Sequence, residues 1–245
     1  MQAIFETVFD ALYLTGVVAL GILMLRNAGG RRQSLLFGAM AVTLGAGDAF
    51  HLLPRAYALL TTGLASHAAA LGTGKFITSL TMTAFYVLLY HVWRSRYRVT
   101  GKMGLTLAVY GLAAVRVALC LLPQNRWTSP APPLLWGVLR NLPFSAMGLA
   151  VILLFYNSAR ERGDAPFRHM WLTIALSFAF YLPVVLWADA VPAVGILMVP
   201  KTLAYVWTVL IGYLDLRAAN RVSAQGRGAA PAGSQAAPIP KPSRV

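Results

Sequence analysis

LLWGVLRNLPFSAMGLAVILLFY, residues Leu134–Tyr156, runs for 23 residues with a single charge, Arg140. A helix rises about 1.5 Å per residue, and about 20 apolar residues cover the hydrocarbon core of a bilayer. The run shows no two-residue alternation, so it does not read as a barrel strand with a polar lumen face. Similar runs lie on both sides of it. The predicted spans are Ile4–Leu25, Ser34–Leu53, Lys75–Trp93, Met103–Leu122, Leu134–Tyr156, Met170–Ala188 and Val191–Leu216. The first opens with Glu6 and has no basic n-region, so it reads as a retained helix and not as a cleaved signal peptide.

Composition agrees with this reading. Of 245 residues, 58% are hydrophobic and 11% charged, against about 45–50% apolar and about 25% charged in soluble domains. That excludes a disordered chain, a coiled coil and an ordinary soluble enzyme. The expected fold is all-α, an integral membrane seven-helix bundle over residues 1–219. Residues 220–245 are rich in Ala, Gly, Pro, Ser and Arg and read as a disordered cytoplasmic tail. Cys120 is the only cysteine, which excludes an intrachain disulfide and a cysteine-based metal site. No internal repeat supports an inverted-repeat transporter.

Basic residues alternate between the two ends of the spans. Arg26, Arg31, Arg32, Arg94, Arg96, Arg98, Lys102, Arg160, Arg162, Arg168, Arg217, Arg221, Arg227, Lys241 and Arg244 all fall on one side, fifteen of the 21. The opposite loops offer only Arg55 and Arg126. The positive-inside rule then puts the N-terminus outside and the C-terminus in the cytoplasm of a bacterial-type inner or plasma membrane. The net charge of +14 reads as an orientation signal and a contact with anionic headgroups of the bilayer. Basic residues scattered over juxtamembrane loops do not form a nucleic-acid surface.

Several ionisable residues sit inside the spans, where each costs about 2.5–3.5 kcal/mol at the bilayer centre and marks a candidate site. They are Glu6, Asp10, Asp48, His51, Arg55, Lys75, Arg116, Arg140, Asp189 and Lys201, nearly all in the predicted outer half. Glu6, Asp10 and Tyr13 share one helix face, and Asp48, His51 and Arg55 share another. Ala39, Thr43 and Gly47 extend the His51 face with small residues that allow close helix approach. Lys75, Ser79, Thr83, Tyr86 and Tyr90 form a third stripe; Lys201, Tyr205, Thr208 and Gly212 form a fourth. Polar faces on several helices predict a polar cavity open to the outside. Its bases, Lys75, Arg116, Arg140, Lys201 and Arg55, outnumber its acids, Glu6, Asp10, Asp48 and Asp189, which favours an anionic ligand. Lys201, about ten residues from either end of its predicted span and beside Pro200, is expected to lie too deep to snorkel, next to a proline kink. Pro143 follows Arg140 in the same way, and Pro183 interrupts the sixth span.

The same charges also fit a purely structural reading, as helix-to-helix struts such as Asp48 with Arg140 or Glu6 with Lys201. A zinc site is not expected, since the histidines His51, His67, His91 and His169 divide between the two sides. The seven-helix membrane hydrolases of the alkaline-ceramidase and adiponectin-receptor type need histidines in the last helix, and this chain has none there. A retinal-type photoreceptor would use Lys201 for its Schiff base with Glu6, Asp10 or Asp48 as counter-ion. The third span lacks the carboxylates that type carries, and the last lacks an aspartate one turn before its lysine. No cofactor follows from these residues.

The runs GDAFHLLPR, Gly47–Arg55, and VPKTLAYVW, Val199–Trp207, resemble a family of bacterial seven-transmembrane-helix membrane proteins. The resemblance covers about residues 5–216. It implies the same architecture and carries no activity with it.

The function expected from these residues is binding of a small polar solute, anionic by the charge excess, for sensing or transport. No nucleophile stands beside a base in a recognisable pattern, so no catalytic residue is assigned. The enzymatic alternative is an intramembrane hydrolase or lipid-modifying enzyme using Asp48 and His51 as acid and base. The soluble segments are too short for an output domain, so a sensor would need a cytoplasmic or membrane protein partner. Reporter fusions after Arg98 and after Arg126 should read cytoplasm and exterior respectively; the reverse result would invert the orientation.

Overall fold

A computed structural model describes residues 2–61, 63–188 and 190–228. Seven helices make up the fold: α1 (Gln2–Arg26), α2 (Arg32–Leu60), α3 (Ala68–Arg96), α4 (Met103–Leu121), α5 (Leu134–Glu161), α6 (Met170–Trp187) and α7 (Met198–Gly228). All seven are long and apolar enough to cross a membrane, and no strand occurs among the described residues. Every span expected from hydropathy falls on one of them. α2 and α3 run past the expected bounds, to Leu60 and from Ala68, and the last span differs at both ends. The last span does not start as an α-helix: Pro192–Leu197 is a 3-10 segment and α7 follows it. At its other end α7 runs on to Gly228, through the first residues of the segment read as tail. Residues 229–245 lie outside the described residues.

Each helix packs on the next in sequence, and α7 closes the bundle against α1 and α2. One rim therefore carries the start of α1 with the α2–α3, α4–α5 and α6–α7 connections; it is called the first rim below. The other rim carries the arginine-rich connections and the end of α7. Without a hydrophobic force between helices in lipid, close approach and packing hold such a bundle together.

α2 achieves that approach through glycine on two faces. A Cβ on Gly38 would lie 2.9 Å from the Gly21 carbonyl oxygen, and one on Gly45 would lie 2.6 Å from Val18; both face α1. Gly47 meets Thr81 of α3, and Thr78 Oγ1 donates to the Gly47 carbonyl at 3.0 Å. Pro54, inside α2, lacks the N–H that would bond the carbonyl one turn back. That carbonyl belongs to Phe50, and Gly74 of α3 is seated on it: a Cβ at Gly74 would be 2.2 Å from the oxygen. Gly72 admits the Trp127 carbonyl of the α4–α5 connection in the same way, at 1.6 Å from a would-be Cβ.

Aromatic side chains fill the centre. Phe37, Phe85, Tyr86, Tyr90, Trp93, Phe155 and Phe167 are all buried. Trp93 Nε1 donates to the Leu154 carbonyl at 3.1 Å and to Ser158 Oγ at 2.9 Å, tying α3 to α5.

At the arginine-rich rim, Arg96 ends α3 and holds three elements. Its guanidinium donates to both Asp164 oxygens, at 2.7 and 2.8 Å, and to Asp215 Oδ1 of α7 at 2.8 Å. It also stacks 4.2 Å over Phe167. Gln33 Nε2 donates to the other Asp215 oxygen at 3.1 Å, bringing in α2. Burial alone would raise the Asp164 carboxyl, but the hydrogen bonds and charge of Arg96 hold it below its ordinary value.

Gly74→Ala should lower stability by about 1–3 kcal/mol, the cost of overpacking a tight contact. Thermal unfolding of the detergent-solubilised protein checks it, with Gly111→Ala as control. Gly111 has nothing within 4 Å of a would-be Cβ, so alanine there should be neutral or stabilising.

Candidate functional site

The ionisable residues of the first-rim half are divided by sign. The acids sit on α1 and α2. Glu6, Asp10 and Tyr13 follow one face of α1, and that face meets α2. Arg55 Nη2 donates to Glu6 Oε2 at 2.9 Å near the rim. One turn deeper, Asp10 lies in the fields of Arg55, Glu6 and Asp48. Deeper still, the Tyr13 hydroxyl donates to Asp48 Oδ2 at 2.7 Å. Asp48 is 6% exposed.

His51 turns elsewhere. Its ring lies against the Leu71 backbone of α3, and its Nδ1 is buried without a hydrogen-bond partner. Asp48 and His51 share a helix face, but no hydrogen bond joins them among the described residues. Lys75, at the first rim of α3, is exposed.

The cations sit across the bundle on α4, α5 and α7. Lys201 is 6% exposed, with Nζ 5.1 Å from the Tyr205 ring centroid and 5.5 Å from that of Tyr181. Asp48 is the carboxylate whose charge acts on it, without direct contact. The Tyr205 hydroxyl faces Tyr86 and Ser177, whose own oxygens are 3.3 Å apart. Arg140 Nη1 donates to Asn125 Oδ1 at 3.0 Å, and its guanidinium stacks 4.2 Å over Trp127.

Arg116 is the extreme case. It is 2% exposed, its guanidinium carbon lies 3.5 Å from the Phe144 centroid, and its Nε and Nη1 have no hydrogen-bond partner. Among the described residues, the charged and titratable groups acting on it are Tyr181, Cys120, Tyr205 and Arg140, none of them a carboxylate. Tyr181 stands between the three cations, held by its hydroxyl's bond to Asn141 Oδ1 at 3.0 Å. Asn141 in turn donates to the Gly137 carbonyl at 2.8 Å.

Several expected pairings therefore change. Glu6 takes Arg55 and not Lys201, because Arg55 follows Asp48 by two turns on the α2 face that meets α1. Arg140 takes Asn125 and Trp127 and not Asp48, because the α4–α5 connection folds over it. Lys201 is the fourth residue of α7 and not its midpoint. Pro200 thus sits in the first turn, where its missing N–H breaks no helical bond and makes no kink. Asp189 lies outside the described residues. Of the polar residues expected to line a cavity, Tyr13, Asp48, Arg116, Lys201 and Tyr205 are buried, whereas Glu6, Asp10, Arg55 and Arg140 are partly exposed and Lys75 is exposed.

The sequence reading passed over Asn125, Trp127, Asn141, Phe144, Ser177 and Tyr181. One signal was available. Asn125 and Trp127 flank Arg126 in a short connection, and Asn141 follows Arg140 directly. Polar or aromatic residues beside an arginine at a span's end are candidate partners for a cation. Among the described residues, no group of three His, Cys, Asp or Glu side chains stands close enough to hold a metal ion.

Tyr13→Phe removes the one hydroxyl donated to Asp48 and should cost about 1–3 kcal/mol, the penalty for an unsatisfied buried acceptor. In an Asp48→Asn background the same change should cost less. Equal losses in both backgrounds, measured by thermal unfolding in detergent, would show that the two side chains are uncoupled. Comparison of the chain with protein-family models, with curated proteins and with solved structures finds no match.

Proposed function

We propose that this is a multi-pass protein of a bacterial-type cell membrane, N-terminus outside, that binds a small anion through Arg116, Arg140 and Lys201, for sensing or transport. The seven apolar helices make the membrane setting a sound basis for that reading. The observation that carries it is Arg116, a buried guanidinium with two nitrogens unbonded and no carboxylate acting on it among the described residues. An isolated buried charge is costly and normally carries a partner. A carboxylate or phosphate lodged between Arg116, Arg140 and Lys201 would supply one. Tyr181 and Tyr205 would flank it, and Asp48, engaged by Tyr13, would stand on the far side of Lys201.

Access runs from the first rim. Pro54, Pro143 and Pro183 each lie inside a helix there and remove one backbone hydrogen bond apiece, so that half of the bundle is the easier half to open. A sensing role would hand the change to a partner protein; a transport role would need a path through the aromatic layer of Tyr86, Phe144 and Phe178.

Thermal unfolding of the purified protein with acetate, succinate, inorganic phosphate or sulfate tests the reading, with chloride as the reference salt. At a hundred times its dissociation constant a bound anion adds about 2.7 kcal/mol. One of the four should give such a shift in the wild type and none in Arg116→Met. If no anion shifts the wild type and Arg116→Met is less stable without any ligand, Arg116 is a cation–π strut on Phe144 and the reading falls.

A further inference from the structure

A second cationic feature lies at the opposite rim, outside the buried core. The end of α5 and the start of α6 enclose a recess of about 170 Å3 lined by Tyr156, Ala159, Arg160, Arg168 and Trp171. Tyr156 and Trp171 form its wall, edge to face with centroids 5.3 Å apart. Arg160 Nη1 donates to the Tyr156 hydroxyl at 3.3 Å, which turns its guanidinium into the recess mouth. Arg168 lies across from it in the α5–α6 connection. Both arginines are exposed, and neither forms an ion pair among the described residues. Asp164, in the same connection, is held by Arg96. The first turn of α6 holds no acid and has no side-chain cap, so its helix dipole adds positive potential there.

The position of these groups selects the ligand. They sit where membrane-spanning helices end, at the depth of lipid headgroups. Tryptophan and tyrosine favour that level because each has an apolar body and a polar edge. Basic recesses between transmembrane helices at this depth suit anionic headgroups. We infer that the Arg160–Arg168 recess is a binding site for one anionic phospholipid, with its phosphodiester between the two guanidinium groups and its acyl chains along the exposed α5–α6 seam beside Tyr156 and Trp171. Arginine suits the task because its planar fork matches phosphate oxygens. The site is independent of the anion reading for Arg116, since it lies at the other end of the bundle and uses other residues.

The test is native mass spectrometry of the detergent-purified protein titrated with phosphatidylglycerol or phosphatidylcholine. The wild type should retain one phosphatidylglycerol in preference to phosphatidylcholine. Arg160→Gln with Arg168→Gln should weaken phosphatidylglycerol retention roughly ten- to thirty-fold, from the contribution expected per basic residue at a membrane surface. Arg26→Gln with Arg32→Gln removes the same charge from the same rim and should change retention less than about two-fold. Tyr156→Phe keeps the ring but frees Arg160 and should give a smaller loss than the double variant. Equal loss in the two double variants would mean diffuse rim charge and overturn the site. So would equal retention of the two lipids. Displacement of the lipid by millimolar inorganic phosphate would assign the recess to a free anion, and a wild type that keeps no lipid but captures a protein would assign it to a protein partner; either outcome overturns the lipid assignment.

Discussion

In hydrocarbon a backbone N–H or C=O without a partner costs several kcal/mol, because no water is there to replace it. That constraint explains why the chain is helical over every apolar run, and it also governs the exceptions. Pro54 removes the donor for the Phe50 carbonyl, and the glycine at position 74 lets α3 come within contact of that oxygen. Any side chain at Gly74 would push α3 away from that carbonyl. The same logic places Gly72 under the Trp127 carbonyl, which in turn fixes the connection that carries Asn125 and Trp127 over Arg140. The position of one half-buried arginine is therefore set by a glycine on a different helix.

The constraint acts on side chains with a different result at each rim. At the arginine-rich rim Arg96 meets two carboxylates in partial contact with water, and Phe167 backs its guanidinium. Acids and bases there come from helices that meet, so opposite charges neutralise one another. In the first-rim half the described acids Glu6, Asp10 and Asp48 lie on α1 and α2, and Arg116, Arg140 and Lys201 lie on α4, α5 and α7. Arg55 crosses that division, by standing on α2 with Glu6. Between the two groups lies a layer of aromatic residues, Tyr86, Phe144, Tyr181 and Tyr205, which offers ring faces to cations and hydroxyls to one another. Lys201 is the point at which the cationic side comes within the field of Asp48.

How much of this was legible depended on the kind of signal. The helices were, because twenty apolar residues in a row have few alternatives. Faces were legible too: the i, i+4, i+7 spacing put Glu6, Asp10 and Tyr13 together and the structure keeps them so. Partners were not. Whether Glu6 meets Arg55 or Lys201 depends on which helices adjoin and on their rotation, and neither quantity is written in a local pattern. The depth of Lys201 was misread for a definite reason. The residues from Val191 to Val199 are apolar enough to extend the span, but Pro192 and Gly195 suit a 3-10 segment, so α7 starts at Met198. The arginine-rich rim draws less notice in the sequence because Asp164 lies in a connection and Asp215 is the next-to-last residue of the last span, where a charge raises no alarm.

Arg116 shows why the unpaired cation is the informative one. Placing an arginine at the centre of a membrane helix costs about 2.5–3.5 kcal/mol on insertion scales. A desolvated cation–π contact such as that with Phe144 returns about 2 kcal/mol. Two nitrogens without acceptors among the described residues are part of the insertion cost. The balance is unfavourable by about 1 kcal/mol. A leucine at position 116 would remove that penalty, and so would an acid beside the guanidinium; among the described residues there is none. On the proposed reading an oxyanion that met those nitrogens would recover the deficit as affinity, so the penalty carried by the unpaired cation is the driving force such an anion would draw on.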